Sequence, residues 1–209
     1  MQLSFALDAA PEGLVYRPDF ITLDEERALL SALAEVEYHA VVMHGQAAKR
    51  TVAHFGVGYG HASWSLDQAP PLPTWVQPLL PRVAEAMGQA LPAVAELLVS
   101  RYPTGAGIGW HRDAPLFGPT VAGLSLGGDC RLLLRHRPSS ARSPGVSGDS
   151  YALTLAPRSL YLLGGAARTR WQHRIPAVAA PRWSLSFRTV VPGARPTRAE
   201  LRRRGHGGG

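Results

Sequence analysis

The chain has a single cysteine, Cys130, which excludes an internal disulfide framework and a cysteine-based zinc site. No apolar run approaches the ~20 residues that a bilayer-spanning helix takes. The N-terminus, Met1-Gln2-Leu3-Ser4-Phe5, has neither a basic start nor a long apolar stretch, so no secretory leader is expected and a reducing, cytoplasmic setting is. Acidic residues are in deficit, 15 Asp and Glu against 22 Lys and Arg, for a net charge of +7. That balance suits a polyanionic partner, nucleic acid first among them. An arginine-rich composition with a basic tail would account for it equally well.

What the chain does have is a glycine-rich turn followed by a His and a carboxylate one residue apart. The stretch is Val99-Ser100-Arg101-Tyr102-Pro103, then Gly107-Ile108-Gly109-Trp110-His111-Arg112-Asp113. Side chains at i and i+2 of an extended segment point to one side, so His111 and Asp113 can converge on one point. Such a pair is a usable face of a metal site, or a hydrogen-bonded brace for a turn; spacing alone leaves both open. A mononuclear Fe(II) oxygenase needs two His and one carboxylate on one face. His173 supplies the further imidazole, in Trp171-Gln172-His173-Arg174-Ile175-Pro176.

Beyond His173, the segment 181–190 alternates. Arg182, Ser184, Ser186 and Arg188 share one face; Trp183, Leu185, Phe187 and Thr189 share the other. A strand between a core and something polar reads this way. If the polar face lines a barrel interior, its arginines form an anion site, because a guanidinium binds carboxylates bidentately. A His/Asp/His set beside such a strand points to an acidic co-substrate next to a metal.

The order His111-x-Asp113, His173, Arg182-x-Ser184-x-x-x-Arg188 resembles the AlkB family of Fe(II)/2-oxoglutarate dioxygenases, as does Tyr102-Pro103 ahead of the Gly-x-Gly-Trp-His-x-Asp run. The resemblance implies an α+β chain with a double-stranded β-helix (jelly-roll) core and N-terminal helices on its outer sheet. It implies Fe(II), 2-oxoglutarate and O2, with His111, Asp113 and His173 as metal ligands and catalytic residues. Arg182 would then pair with the distal carboxylate of 2-oxoglutarate, helped by Tyr102 and Ser184, and Arg188 would lie near its chelating end. Arg50, His54, Phe55 and Tyr59, on an arginine-containing strand and a tyrosine-containing loop, would face the substrate. The implied reaction is oxidative demethylation of alkylated DNA or RNA by a monomeric, membrane-independent enzyme.

Two departures stand out. Serine occupies positions 100 and 184 where the family often has Asn; hydroxyls still donate to a carboxylate, so weaker co-substrate binding is expected. Ala114-Pro115 follows Asp113 where repair-type members carry an acidic residue, which leaves room for a tRNA, protein or small-molecule substrate. A barrel kept only as a nucleic-acid-binding module is the remaining alternative.

The rest of the chain reads as one domain over 1–194, with a basic, glycine-rich tail over 195–209. Thr22 and Glu25 have capping-box spacing, and Leu23, Ala28, Leu29, Leu30, Leu33 and Val36 form the apolar stripe of a helix whose outer face carries Asp24, Glu25, Glu26 and Glu35. The proline-rich segment 65–83 reads as a rigid extended connection anchored by Trp75 and Val76, ahead of a short helix from Val83. Val121–Leu126 and Cys130–Arg135 read as two strands about a Gly127-Gly128-Asp129 turn, and 139–150 as a Ser/Arg/Gly loop.

Overall fold

The computed structural model describes residues 10–43, 46–60, 65–89, 94–136 and 149–190, with positions 43, 46, 57–60 and 65–68 described by their backbone. The side chain of Tyr59, most of the 139–150 loop and the basic tail lie outside the described residues.

In chain order the strands are β1 (Leu14–Arg17), β2 (His39–Met43), β3 (Gln46–Gly60), β4 (Ser65–Gln68), β5 (Glu96–Tyr102), β6 (Ile108–His111), β7 (Phe117–Gly127), β8 (Cys130–His136), β9 (Asp149–Leu155), β10 (Leu160–Leu163), β11 (Gln172–Ile175) and β12 (Arg182–Val190). Among the described residues three α-helices interrupt them: α1 (Leu23–Ala34), α2 (Leu80–Ala86) and α3 (Gly165–Thr169). The strands form two antiparallel sheets. One runs β1-β10-β7-β12-β5-β3-β2, with β4 on the far half of β3; the other runs β6-β11-β8-β9. This is the α+β jelly-roll arrangement.

α1 begins where the sequence places it. Thr22 accepts from the Glu25 backbone N–H, and the Glu25 side chain accepts from the Thr22 N–H, so two end donors of the helix are satisfied. Leu29 and Leu33 are buried, whereas Leu23, in the first turn, is half exposed. Glu26 departs from the expected outer acidic face. It is buried, accepting from the Gly127 N–H at 2.9 Å and pairing with Arg158 at 3.3 Å, because α1 packs its first turns against the end of β7.

Helices and large sheet meet in one apolar layer. Ile21, Leu29, Leu33, Val76, Leu79 and Val83 lie against Leu97, Val99, Leu124, Leu185 and Phe187 from the outer face of the sheet. Each such side chain, fully buried, contributes roughly 1.5–3 kcal/mol. A second cluster, including Tyr102, Leu132, Leu134, Tyr161, Leu163 and Trp171, fills the space between the two sheets.

Two expectations are corrected here. The proline-rich segment turns helical earlier than expected: Thr74–Leu79 is a 3-10 helix running straight into α2. Pro81 sits in the first turn of α2, where its missing N–H costs nothing. The Gly127-Gly128-Asp129 turn joins two strands as expected, yet β7 and β8 do not pair with each other. They belong to different sheets, so the turn is a corner of the jelly roll. Gly127 takes φ +78°, and the Gly128 N–H donates to Pro181 O, fastening the corner to the start of β12.

Candidate metal and co-substrate site

The registers of the large sheet define its inner surface row by row, since directly paired residues share a face. Arg182 on β12 pairs with Tyr102 on β5 and Gly127 on β7. Ser184 pairs with Ser100 and Ser125, Ser186 with Leu98 and Gly123, and Arg188 with Glu96 and Val121. On β3, Val52 stands beside Ser100 and His54 beside Leu98. Serines and Gly123 therefore occupy much of the middle of the sheet, with an arginine toward each end of β12.

Arg182 is completely buried and lies 5.1 Å over the Tyr102 ring. One nitrogen donates to Ser125 Oγ at 2.7 Å; its Nε and the other terminal nitrogen have no partner. A buried guanidinium with unmet N–H groups costs about 1–3 kcal/mol per donor, and a carboxylate that fits the fork removes that cost. Ser184 and Tyr102 are buried beside it.

Facing this wall, β6 and β11 pair His111 directly with His173, ring centroids 4.2 Å apart. His111 Nδ1 donates to Gly109 O at 2.9 Å, which turns Nε2 outward as a free lone pair. Asp113 follows β6 with a buried side chain, its Oδ2 3.7 Å from His173 Nε2. Donor atoms at right angles about a metal, with bonds of roughly 2.1 Å, stand ~3 Å apart, so the spacing is slightly open. Among the described residues no His, Cys, Asp or Glu trio is drawn into a closed metal-binding group. The donor set is the two-imidazole, one-carboxylate combination that suits Fe(II) and leaves other coordination positions open.

The electrostatics favour ligand protonation states. Burial pushes the Asp113 carboxyl up, but Arg188, His173, Arg168 and His111 outweigh it and hold the group well below the usual carboxylate range. Burial brings His173 down to about 4, with His111 adding to the effect, so the imidazole is neutral near pH 7. Burial lowers His111 as well.

Of the expected substrate-side residues, Arg50 and His54 lie on the inner face and Phe55 does not. Arg50 is buried, donating to Ser100 Oγ at 3.0 Å above the Tyr102 ring, so it belongs to the arginine–tyrosine stack around Arg182. His54 is partly exposed and donates from Nδ1 to Glu96 Oε1 at 3.0 Å. Phe55 points the other way and meets Trp75 edge-on in the helix-facing core, because strand alternation puts it opposite His54.

Three residues of the site carry no recognisable sequence signal. Arg168, from α3, donates to the Asp113 and Ala114 carbonyls at 2.9 and 2.7 Å, pinning the backbone at the carboxylate. Glu96 is fully buried and accepts from both His54 and Arg188. Tyr161 lays its ring over Gly123, where a Cβ would come within 2.3 Å of the phenol carbons. Burial and the nearby Asp113 raise its hydroxyl above the ordinary tyrosine range.

The class of protein is defined by a family profile: residues 13–202 match the 2OG-Fe(II) oxygenase superfamily, and the chain belongs to it. Fe(II) and 2-oxoglutarate are the cofactor and co-substrate of that superfamily. Among its relatives is an Arabidopsis thaliana protein named alkylated DNA repair protein ALKBH8 homolog, 34% identical over 181 residues, or 78% of this chain and 51% of the relative. Another is the Homo sapiens DNA oxidative demethylase ALKBH2, 31% identical over 150 residues, or 68% of this chain and 55% of the relative. The chain thus spans about half the length of these two. The fold is shared with the solved structure of OsALKBH1, at a TM-score of 0.58 and 15% identity over 87% of this chain and 99% of the other. It is also shared with a Pseudomonas putida prolyl-4-hydroxylase, at 0.58 and 17% over 86% and 93%.

Proposed function

We propose that the protein is an Fe(II)/2-oxoglutarate-dependent dioxygenase that oxidatively demethylates alkylated nucleic-acid bases. The observation that carries this reading is Arg182: fully buried, with two nitrogens unpartnered, in the same barrel as His111, Asp113 and His173. A cation in that state is built for an anion that enters later.

In this reading His111, His173 and Asp113 would hold the metal. Arg182 takes the distal carboxylate of 2-oxoglutarate, with the Tyr102 and Ser184 hydroxyls beside it, and Arg188 keeps Asp113 charged and oriented. When bound, Fe(II), 2-oxoglutarate and O2 supply the oxidation: the oxoacid loses CO2 to give succinate, and one oxygen atom enters a substrate C–H bond. Hydroxylation of an N-methyl group is followed by loss of formaldehyde. The chain contributes ligand orientation, a barrel interior that excludes water, and placement of the methyl group.

A nucleic-acid substrate is supported by the positive charge and by where it sits. Trp110, next to His111 on the edge strand β6, has the guanidinium groups of Arg135 and Arg174 over its ring at 4.3 and 5.2 Å, on the outer face of the small sheet. Exposed Arg112 and Arg131 extend that basic face. Aromatic and arginine planes interleaved beside a site suit a phosphate backbone with an unstacked base. Both relatives named above carry DNA in their names.

The test is incubation with N-methylated single-stranded DNA and RNA oligonucleotides, Fe(II), 2-oxoglutarate and air. Mass spectrometry reads loss of the methyl mass, with formaldehyde and succinate measured alongside. Demethylation dependent on 2-oxoglutarate and absent in His173→Ala supports the reading. Steady succinate formation without oligonucleotide turnover sinks the nucleic-acid part of it.

A further inference from the structure

One buried carboxylate of the site has no place in metal or co-substrate binding. Glu96 opens β5, and its side chain has no exposure. Both of its oxygens are committed. Oε2 accepts from Arg188 at 2.9 Å, and Oε1 accepts from His54 Nδ1 at 3.0 Å. Arg188 uses its other terminal nitrogen on Asp113 Oδ1 at 2.5 Å. Asp113 Oδ2 is the oxygen that faces His173. A continuous chain of charge-assisted hydrogen bonds thus runs His54–Glu96–Arg188–Asp113.

Sheet register explains how it is assembled. Arg188 and Glu96 are directly paired on β12 and β5, and Gly56 is the direct partner of Glu96 on β3. With no side chain at Gly56, His54 reaches Glu96 along the diagonal. Gly56 cannot be enlarged: its φ is +81°, and a Cβ would stand 2.2 Å from Ala95 O.

We propose that Glu96, braced by His54, is a positioning residue for the metal-binding carboxylate. Asp113 could offer a metal either one oxygen or two. Arg188 ties up Oδ1, so Oδ2 is the oxygen that would remain for a metal. Arg188 is a long side chain with several rotamers, and Glu96 fixes which one it takes. His54 in turn fixes Glu96, which would otherwise have one buried oxygen without a donor. His54 is partly exposed, so the chain begins at the rim of the barrel and ends at the ligand. This inference rests on the metal-site reading above and adds to it two residues that never touch the metal.

The measurement is anaerobic titration with Co(II), without co-substrate, followed by calorimetry and by the ligand-field absorption band, with thermal melting of the metal-free protein in parallel. Glu96→Gln has the same shape but only one acceptor, so it must turn a donor toward His54 or Arg188. It is expected to weaken Co(II) binding by about 10-fold or more, the range seen when partners of a metal ligand are removed. His54→Ala is expected to weaken it in the same direction by less. His54→Asn, whose amide N–H falls near the place of Nδ1–H, is expected to restore it. A merely structural Glu96 would move the melting temperature and leave the affinity and the band alone. If Glu96→Gln does not fold, the two His54 variants decide the matter. Tight binding by the wild type, unchanged in Glu96→Gln and His54→Ala, overturns the positioning role alone. No Co(II) binding by the wild type overturns this role and the metal site together.

Discussion

His111 and His173 are directly paired across β6 and β11, with their rings 4.2 Å apart and tilted by 58°. Two imidazoles at that distance, His173 buried and His111 partly so, gain little from each other and lose solvation. Their arrangement makes sense as a divided ligand set.

Removing either ring should therefore cost metal binding far more than it costs the fold. For His173→Ala, we expect loss of the visible charge-transfer band that Fe(II) and 2-oxoglutarate give together anaerobically. The metal-free melting temperature should stay within a few degrees of the wild type. Metal should also raise the wild-type melting temperature, since a ligand at 100 times its Kd adds about 2.7 kcal/mol to stability. That shift should vanish in the variant.

Arg182→Met makes a sharper prediction. A completely buried residue is ordinarily costly to replace, yet here the guanidinium has two nitrogens without partners. Methionine fills similar space without unmet donors, so urea denaturation of the metal-free protein should show stability equal to or above the wild type. Affinity for 2-oxoglutarate, read by calorimetry in the presence of Mn(II), should fall by at least about 100-fold, the loss of a bidentate charge-assisted pair worth roughly 3 kcal/mol. A strongly destabilised variant would mean that Arg182 holds the barrel together.

Gly123→Ala tests the contact with Tyr161. The added methyl would lie 2.3 Å from the phenol ring, so the ring has to move. A loss of roughly 1–3 kcal/mol is expected from overpacking. Tyr161→Val should remove most of that penalty in the double variant, giving a coupling of comparable size and opposite sign. Additive effects in a double-mutant cycle would rule the contact out as the cause.

Arg174→Ala addresses the proposed nucleic-acid face. Its guanidinium stacks on Trp110 away from the barrel interior, so succinate formation without oligonucleotide should be unaffected. Oligonucleotide affinity should drop, and the slope of its logarithm against log salt should become shallower by about 0.7 for one lost phosphate contact on a single strand. An unchanged slope would place the backbone elsewhere.

Much of the site could be read from the chain because its key residues lie within short, regular segments. His111 and Asp113 are two residues apart, and Arg182 to Arg188 alternate along one strand, so local geometry already puts each set on one side. What could not be read depends on register between distant strands. Glu96 and Arg188 meet across 92 residues, and Arg168 reaches Asp113 across 55. No periodicity reports such contacts. Phe55 shows the converse: by composition it suits a base-binding strand, but position parity sends it to the apolar core. Glu26 shows that a carboxylate in a helical first turn is not always for solvent, since here a glycine N–H and Arg158 are waiting for it.

β12 is the middle of the large sheet, and β5 and β7 meet only through it. Among the described strands it is also the last to leave the ribosome. Until Arg182–Val190 emerges, the N-terminal β3–β5 block and the β7–β10 block have no ladder joining them, and each shows the other an open edge. Long-range closure of this kind is slow, and it leaves unpaired edges exposed to neighbouring nascent chains. A chain ending before Arg182 should accumulate in aggregates rather than as a partly active barrel. The strand that brings the co-substrate arginine is also the one that closes the fold, so an incomplete chain cannot present a reactive metal site.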